Sequence, residues 1–114
     1  MTALSLPRSP AITGVQANLA GSGNIACDVL WDQAMDQSTN PDESKWTFTY
    51  DGVPTIPAAD GWLNATTYRV DLGILYSGGH TVGATLNAVD PLLRTPAMVV
   101  AKAPQGPFVS APSP

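Results

Sequence analysis

Apolar and polar residues alternate with a period of two along much of this chain, the mark of strands that turn one face to a core. The clearest stretch lies between Ile25 and Tyr50. Ile25, Cys27, Val29 and Trp31 fall on one side of an expected strand, and Ala26, Asp28 and Leu30 on the other. After an acidic connection, Trp46, Phe48 and Tyr50 alternate with Thr47, Thr49 and Asp51. An earlier strand is expected over Ile12 to Leu19, with Val15, Ala17 and Leu19 on one face and Gly21-Ser22-Gly23-Asn24 as the following turn.

The second half repeats the signal. Asp51-Gly52 is a hairpin turn dipeptide, and short strands follow near Val53–Ile56 and Trp62–Asn64, which Pro54 and Pro57 confine to sheet edges. Tyr68, Val70 and Leu72 then alternate with Thr67, Arg69 and Asp71. Ser77-Gly78-Gly79 makes a turn, Val82, Ala84, Leu86 and Ala88 line a further strand, and Ala97–Ala101 is read as the last one. In the acidic connection, Asn40-Pro41-Asp42-Glu43 is a good start for one helical turn with Asn40 as its cap. About seven short strands at this spacing predict an all-β protein, an antiparallel β-sandwich. Pro7 and Pro10 mark residues 1–10 as an extended arm, and Pro104, Pro107, Pro112 and Pro114 mark 104–114 as a second, leaving 11–103 as the sandwich.

Composition narrows the class. A chain of 114 residues is sized for one domain. The single cysteine, Cys27, has no partner for an internal disulfide and reads as a small buried hydrophobe. Nine acidic against five basic residues give a net charge of −4, with Arg8, Lys45, Arg69, Arg94 and Lys102 scattered. That argues against nucleic acid, whose binding neutralises phosphates with Lys and Arg. No apolar run approaches the roughly 20 residues that span a bilayer, and the amino terminus lacks the pattern of a secretory signal, so a protein made in a cytoplasm and staying soluble is expected. Charged residues make up only 12% of the chain, about half the usual share, which suits a surface covered by neighbours.

Candidate chemistry is thin. Asp28, Asp32, Asp36, Asp42 and Glu43 match no calcium-loop spacing, so a solvated, capped loop is expected in place of a metal site. Ser77, His80 and an aspartate evoke a hydrolase, but Ser and His three apart across a glycine turn give no oriented base. Trp31 and Trp46 fall on core sides of their strands, while Trp62 after Asp60-Gly61 is the tryptophan expected to be exposed. No catalytic, cofactor or metal residue is assigned. Asn64-Ala65-Thr66 matches a glycosylation sequon that has meaning only in a secreted chain.

Residues 24–95 resemble the bacterial immunoglobulin-like modules of surface-layer and large repeat proteins. The resemblance is carried by Val29-Leu30-Trp31, Ala34-Met35-Asp36-Gln37-Ser38-Thr39, Trp46-Thr47-Phe48, Thr67-Tyr68-Arg69-Val70 and Asn87-Ala88-Val89-Asp90. It implies an immunoglobulin-like sandwich, but the family spans many roles. Such modules usually stand in tandem within secreted chains, whereas here there is one copy with proline-rich ends. A solitary module with arms resembles a small bacteriophage structural protein. The expectation is a non-enzymatic virion component, a capsid decoration or cement subunit. Leu4, Leu6, Pro7, Trp62, Pro107, Phe108 and Val109 would contact a major capsid or other virion protein, or further copies of itself. The alternative is a bacterial cell-surface adhesion or carbohydrate-binding module.

Overall fold

The computed structural model describes residues 8–114. They form two four-stranded antiparallel sheets. Along the chain the strands are β1 (Ile12–Leu19), β2 (Asn24–Trp31), β3 (Trp46–Tyr50), β4 (Val53–Thr55), β5 (Ala59–Asn64), β6 (Thr67–Leu75), β7 (Val82–Leu86) and β8 (Gln105–Val109). One sheet has the order β1-β2-β6-β5 and the other β4-β3-β7-β8. The all-β, sandwich-like architecture predicted from the pattern is present, with eight strands in place of about seven.

The core is the set of inward positions of both sheets. Ile25, Cys27, Val29 and Trp31 of β2 meet Tyr68, Val70 and Leu72 of β6, Trp46 and Phe48 of β3, and Val82, Ala84 and Leu86 of β7. Burying one such aliphatic or aromatic side chain contributes about 1.5–3 kcal/mol, so this layer is the main favourable term for folding. Trp46 is the hub of its aromatic part: it stacks on Phe48 at 5.5 Å, meets Trp31 edge-on at 6.3 Å and leans on Tyr68 at 5.8 Å. The indole N–H groups of both Trp31 and Trp46 are buried without a hydrogen-bond acceptor.

Several local expectations are corrected. Leu19 is 57% exposed, because β1 runs out past the core before its last residue. Tyr50 is half-buried at the end of β3, and Ala88 lies exposed beyond the end of β7. The short helical turn is a 3-10 turn at Glu43–Lys45 capped by Asp42, whose carboxylate accepts the Ser44 N–H, so Asn40 is not its cap. Strand β2 is buried on both faces: Ala26 is fully buried and Asp28 is 2% exposed although both point away from the core.

The chain's last strand is also misplaced by the sequence pattern. Residues 97–101 form no strand and contribute only an isolated bridge between Arg94 and Val100. The closing strand is β8, inside the segment expected to be an arm, and it pairs with β7 through Gly83↔Val109, Ala84↔Phe108 and Leu86↔Gln105. Pro107 is tolerated there because β8 is an edge strand, just as Pro54 is tolerated on edge strand β4. Gln105 also knits the two sheets at this edge. Its Oε1 accepts the Ile12 N–H at 2.8 Å, and its Nε2 donates to the Pro10 and Lys102 carbonyls at 3.2 and 2.8 Å. The side-chain amide thus substitutes for a peptide group where β1 and β8 do not pair. Residues 8–10 lie against the body as well: Pro10 is buried, and Arg8 reaches Asp32 at 3.2 Å.

Candidate functional site

The two outward faces of the sandwich are built from very different residues. On the first sheet, strand register aligns two rungs, Gln16–Asp28–Arg69–Gly61 and Asn18–Ala26–Asp71–Ala59. Arg69 grips Asp28 in a fork, Nε and Nη2 each at 2.8 Å, and Asn18 Nδ2 adds a third hydrogen bond at 2.8 Å. These long side chains lie over β2 and explain why Asp28 and Ala26 are sealed from water. The fork holds the Arg69 guanidinium protonated even more firmly than usual. Burial pushes the Asp71 carboxyl up, but hydrogen bonds from Ser22, the Gly73 N–H and Asn24 outweigh it and leave the group below the ordinary carboxylate range.

On the second sheet the corresponding rungs are Pro54–Thr49–Gly83–Val109 and Thr47–Thr85. None of these residues is charged. Thr47, Pro54, Pro107 and Val109 are exposed, Val109 by 68%. Gly83 matters here: a Cβ at that position would collide with Thr49 Oγ1 and stand 3.0 Å from the Phe108 carbonyl oxygen. Its bare backbone lets Thr49 lie flat and lets β8 close up, which keeps the face smooth.

The residues expected to make subunit contacts fall into three groups. Leu4, Leu6 and Pro7 lie outside the described residues. Pro107 and Val109 are exposed on β8, whereas Phe108 is half-buried and packs against the core. Trp62 is not the free aromatic expected of it. It is half-buried, its ring lies 5.5 Å from that of Tyr68, and its Nε1 donates to the Thr39 carbonyl at 3.1 Å.

Two grooves stand out among the described residues. One, of about 250 Å³, runs beside β5 and is lined by Ser22, Asp60, Gly61, Trp62, Arg69 and Asp71, among others. The second, of about 400 Å³, lies between the 3-10 turn and the β4–β5 connection, with Trp46, Phe48, Pro54, Ile56 and Pro57 in its wall. Ile56 is 89% exposed at its rim.

The acids of the connection do not converge, and among the described residues no group of three or more His, Cys, Asp or Glu side chains is placed to hold a metal ion. Asp28, Asp32, Asp36 and Asp42 each have local work. Asp36 accepts the Ser38 N–H and pairs with Arg94, which together hold its carboxyl down at about 2. Buried Asp90 accepts the Asp42 and Leu92 N–H groups. Cys27 is fully buried, and burial, then Asp28, push its thiol well above the usual range, away from nucleophilic chemistry. Burial and the Asp60 carboxylate it donates to raise the Tyr68 hydroxyl in the same way.

One pair has the look of acid–base machinery. His80 Nδ1 stands 2.6 Å from Asp51 Oδ2, and the ring stacks on Tyr50 at 5.0 Å. Ser77 is not its third member: the Ser77 carbonyl accepts the Ser113 hydroxyl, and the Ser113 Oγ accepts the backbone N–H of His80. The pairing was hidden in the sequence, since nothing local says that the turn after β3 abuts the start of β7. The arrangement is therefore a junction of backbone segments and supplies no nucleophile. No family model matches this chain, and no curated protein or solved structure matches it either.

Proposed function

We propose that this chain is a non-enzymatic structural module of immunoglobulin-like type that decorates or cements a virion, docking on a major capsid or other virion protein. The carrying observation is the uncharged outer face of the β4-β3-β7-β8 sheet, where the Pro54–Thr49–Gly83–Val109 rung crosses all four strands. A flat face without charge can be buried against another subunit at little desolvation cost. The strand order supports the immunoglobulin-like assignment: β1-β2-β6-β5 corresponds to the four-strand sheet of such domains, and β3-β7-β8 to the facing three, with β4 added at the edge. Cys27 on the second strand and Trp46 on the third occupy the neighbourhood where antibody domains place their inter-sheet cysteine and core tryptophan.

The docking role of the ends is narrower than the sequence pattern implies. Residues 105–109 belong to the sandwich, so contact from this end runs through the exposed Pro107 and Val109. The test is the native mass of the tagged protein in the cells or lysate that produce it. Recovery in a large symmetric particle, lost on Thr47→Glu with Val109→Lys, is the expected result. A free monomer under the same conditions refutes the reading.

The groove beside Trp62 favours one alternative, a cell-surface adhesion or carbohydrate-binding module. It brings the Arg69 guanidinium and the Asp71 carboxylate beside the open floor at Gly61, with Trp62 among its lining residues. Saturable glycan binding that disappears in Trp62→Ala would establish that reading in place of the first.

A further inference from the structure

We propose that residues 110–114 form a strap that opens and closes independently of the sandwich, with the Asp51–His80 pair as its catch. The inference goes beyond the docking reading and stands without it. The strap is tied down by hydrogen bonds and puts no large apolar side chain into the core. Ser110 N–H donates to the Val82 carbonyl at 2.8 Å, and the Val82 N–H returns a bond to Ser110 Oγ at 3.0 Å. Further on, Ser113 N–H donates to the His80 carbonyl at 2.7 Å, while Gly79 N–H donates to the Ser113 carbonyl at 2.8 Å. Ser113 Oγ accepts the His80 N–H at 3.1 Å and donates to the Ser77 carbonyl at 2.7 Å. Tyr76 Oη closes the set on the Pro114 carbonyl at 2.7 Å.

The side chains of Ser110 and Ser113 are buried, but Ala111, Pro112 and Pro114 are exposed. A segment held this way loses little apolar contact when it lifts, so its opening free energy lies well below that of the whole fold. The receiving loop, Ser77-Gly78-Gly79, is exposed and has Gly79 at φ +83°. Such a loop has little stiffness of its own.

His80 supplies the stiffness. Its ring is clamped between the Asp51 carboxylate and the face of Tyr50. Asp51 is fixed in turn: it sits at φ +48° in the β3–β4 turn, its other oxygen accepts the Thr81 N–H at 2.9 Å, and its own N–H donates to the Thr81 carbonyl at 2.8 Å. The rigid hairpin therefore positions His80, and the His80 backbone positions Ser113. Opening of the strap also frees the end of β8, the strand that carries Pro107 and Val109 onto the uncharged face.

Amide hydrogen exchange of the intact chain by NMR at pH 7 tests this. The amides of Gly79, His80 and Ser113 are expected to exchange about a hundredfold faster than those of the β2–β6 ladder. His80→Ala should speed Gly79 and Ser113 by a further factor of roughly ten while the ladder is unchanged, since a lost charge-assisted hydrogen bond is of that size. Asp51→Asn, which tolerates the left-handed turn, should do the same. Strap amides exchanging at the ladder's rate, or a His80→Ala chain that fails to fold or speeds both sets equally, would overturn the proposal.

Discussion

The two outer faces of this sandwich obey the same period-two rule and end up as opposite surfaces. On the β1-β2-β6-β5 sheet the outward positions carry Asp28, Arg69, Asp71, Asn18 and Gln16, whose side chains fold over the strands and bury β2 on its solvent side as well. On the β4-β3-β7-β8 sheet they carry threonine, glycine, proline and valine, too short to cover anything. The first face is finished by its own polar network. The second is left uncharged and without such a cover. Alternation along one strand therefore identifies which residues face outward, but the length and charge of their cross-strand neighbours decide whether they remain exposed.

The sharpest way to break this contrast is to strip the first face of its cover. Arg69→Ala leaves the Asp28 carboxylate, 2% exposed, with Asn18 as its remaining side-chain partner, and should cost about 3–5 kcal/mol in urea unfolding. Asp28→Val combined with Arg69→Met should recover most of that loss, because the paired charges contribute little beyond an apolar equivalent. Failure of the double variant to recover would mean that the network specifies the fold and does more than fill it.

A smaller effect is expected on the second face. Gly83→Ala forces a methyl group against Thr49 and the Phe108 carbonyl, and should destabilise by roughly 1–3 kcal/mol, read as a lower urea midpoint. The loss should be concentrated at β8, so the Ser110 amide would exchange faster than those of β2. Uniform acceleration would show that β8 unfolds only with the whole domain.

Acid should separate the regions less sharply. The carboxyls of Asp36, Asp42, Asp51 and Asp71 are all held below their ordinary value, Asp36 at about 2 through Ser38 and Arg94. Groups depressed in the folded state bind fewer protons there than in the unfolded chain, so their contribution is present above about pH 4 and is lost as pH falls toward 2. Thermal melts across that window should decline in wild type and decline less in Asp36→Asn. The smallest change in stability, within about 0.5 kcal/mol, is expected for Thr47→Glu and Val109→Lys on the open face. Those same substitutions are the ones expected to abolish recovery in a particle, and a variant that keeps full association would remove that face from consideration.

Much of this arrangement was legible in the chain. The β1, β2, β3, β6 and β7 strands follow from alternation alone, and the edge positions of β4 and β8 agree with their prolines. The closing strand was missed because Gln105-Gly106-Pro107-Phe108-Val109 has a single inward apolar residue and a strand-breaking look. Its place is set by the free edge of β7 and by the Gln105 amide that joins β1, neither of which is a local property. The false strand at 97–101 failed for the converse reason, since an apolar run without a free edge has nowhere to pair.

Candidate chemistry followed the same division. The sequence marked the acids of the connection as helix-capping groups, and Asp42 acts so, while Asp36 instead braces its loop through the Ser38 N–H. It could not bring Asp51 to His80, 29 residues away, or lay Ser113 over that pair. By itself the sequence determined the class of architecture and the central inward residues of β2, β3, β6 and β7, because period-two burial is a property of neighbours along one strand. Which edge β8 would fill, which outward face would be sealed and which left bare, and where the two aspartate partnerships would form were decided only by tertiary structure. Those depend on register between strands distant in the chain, and register is fixed when the two sheets close on a common core.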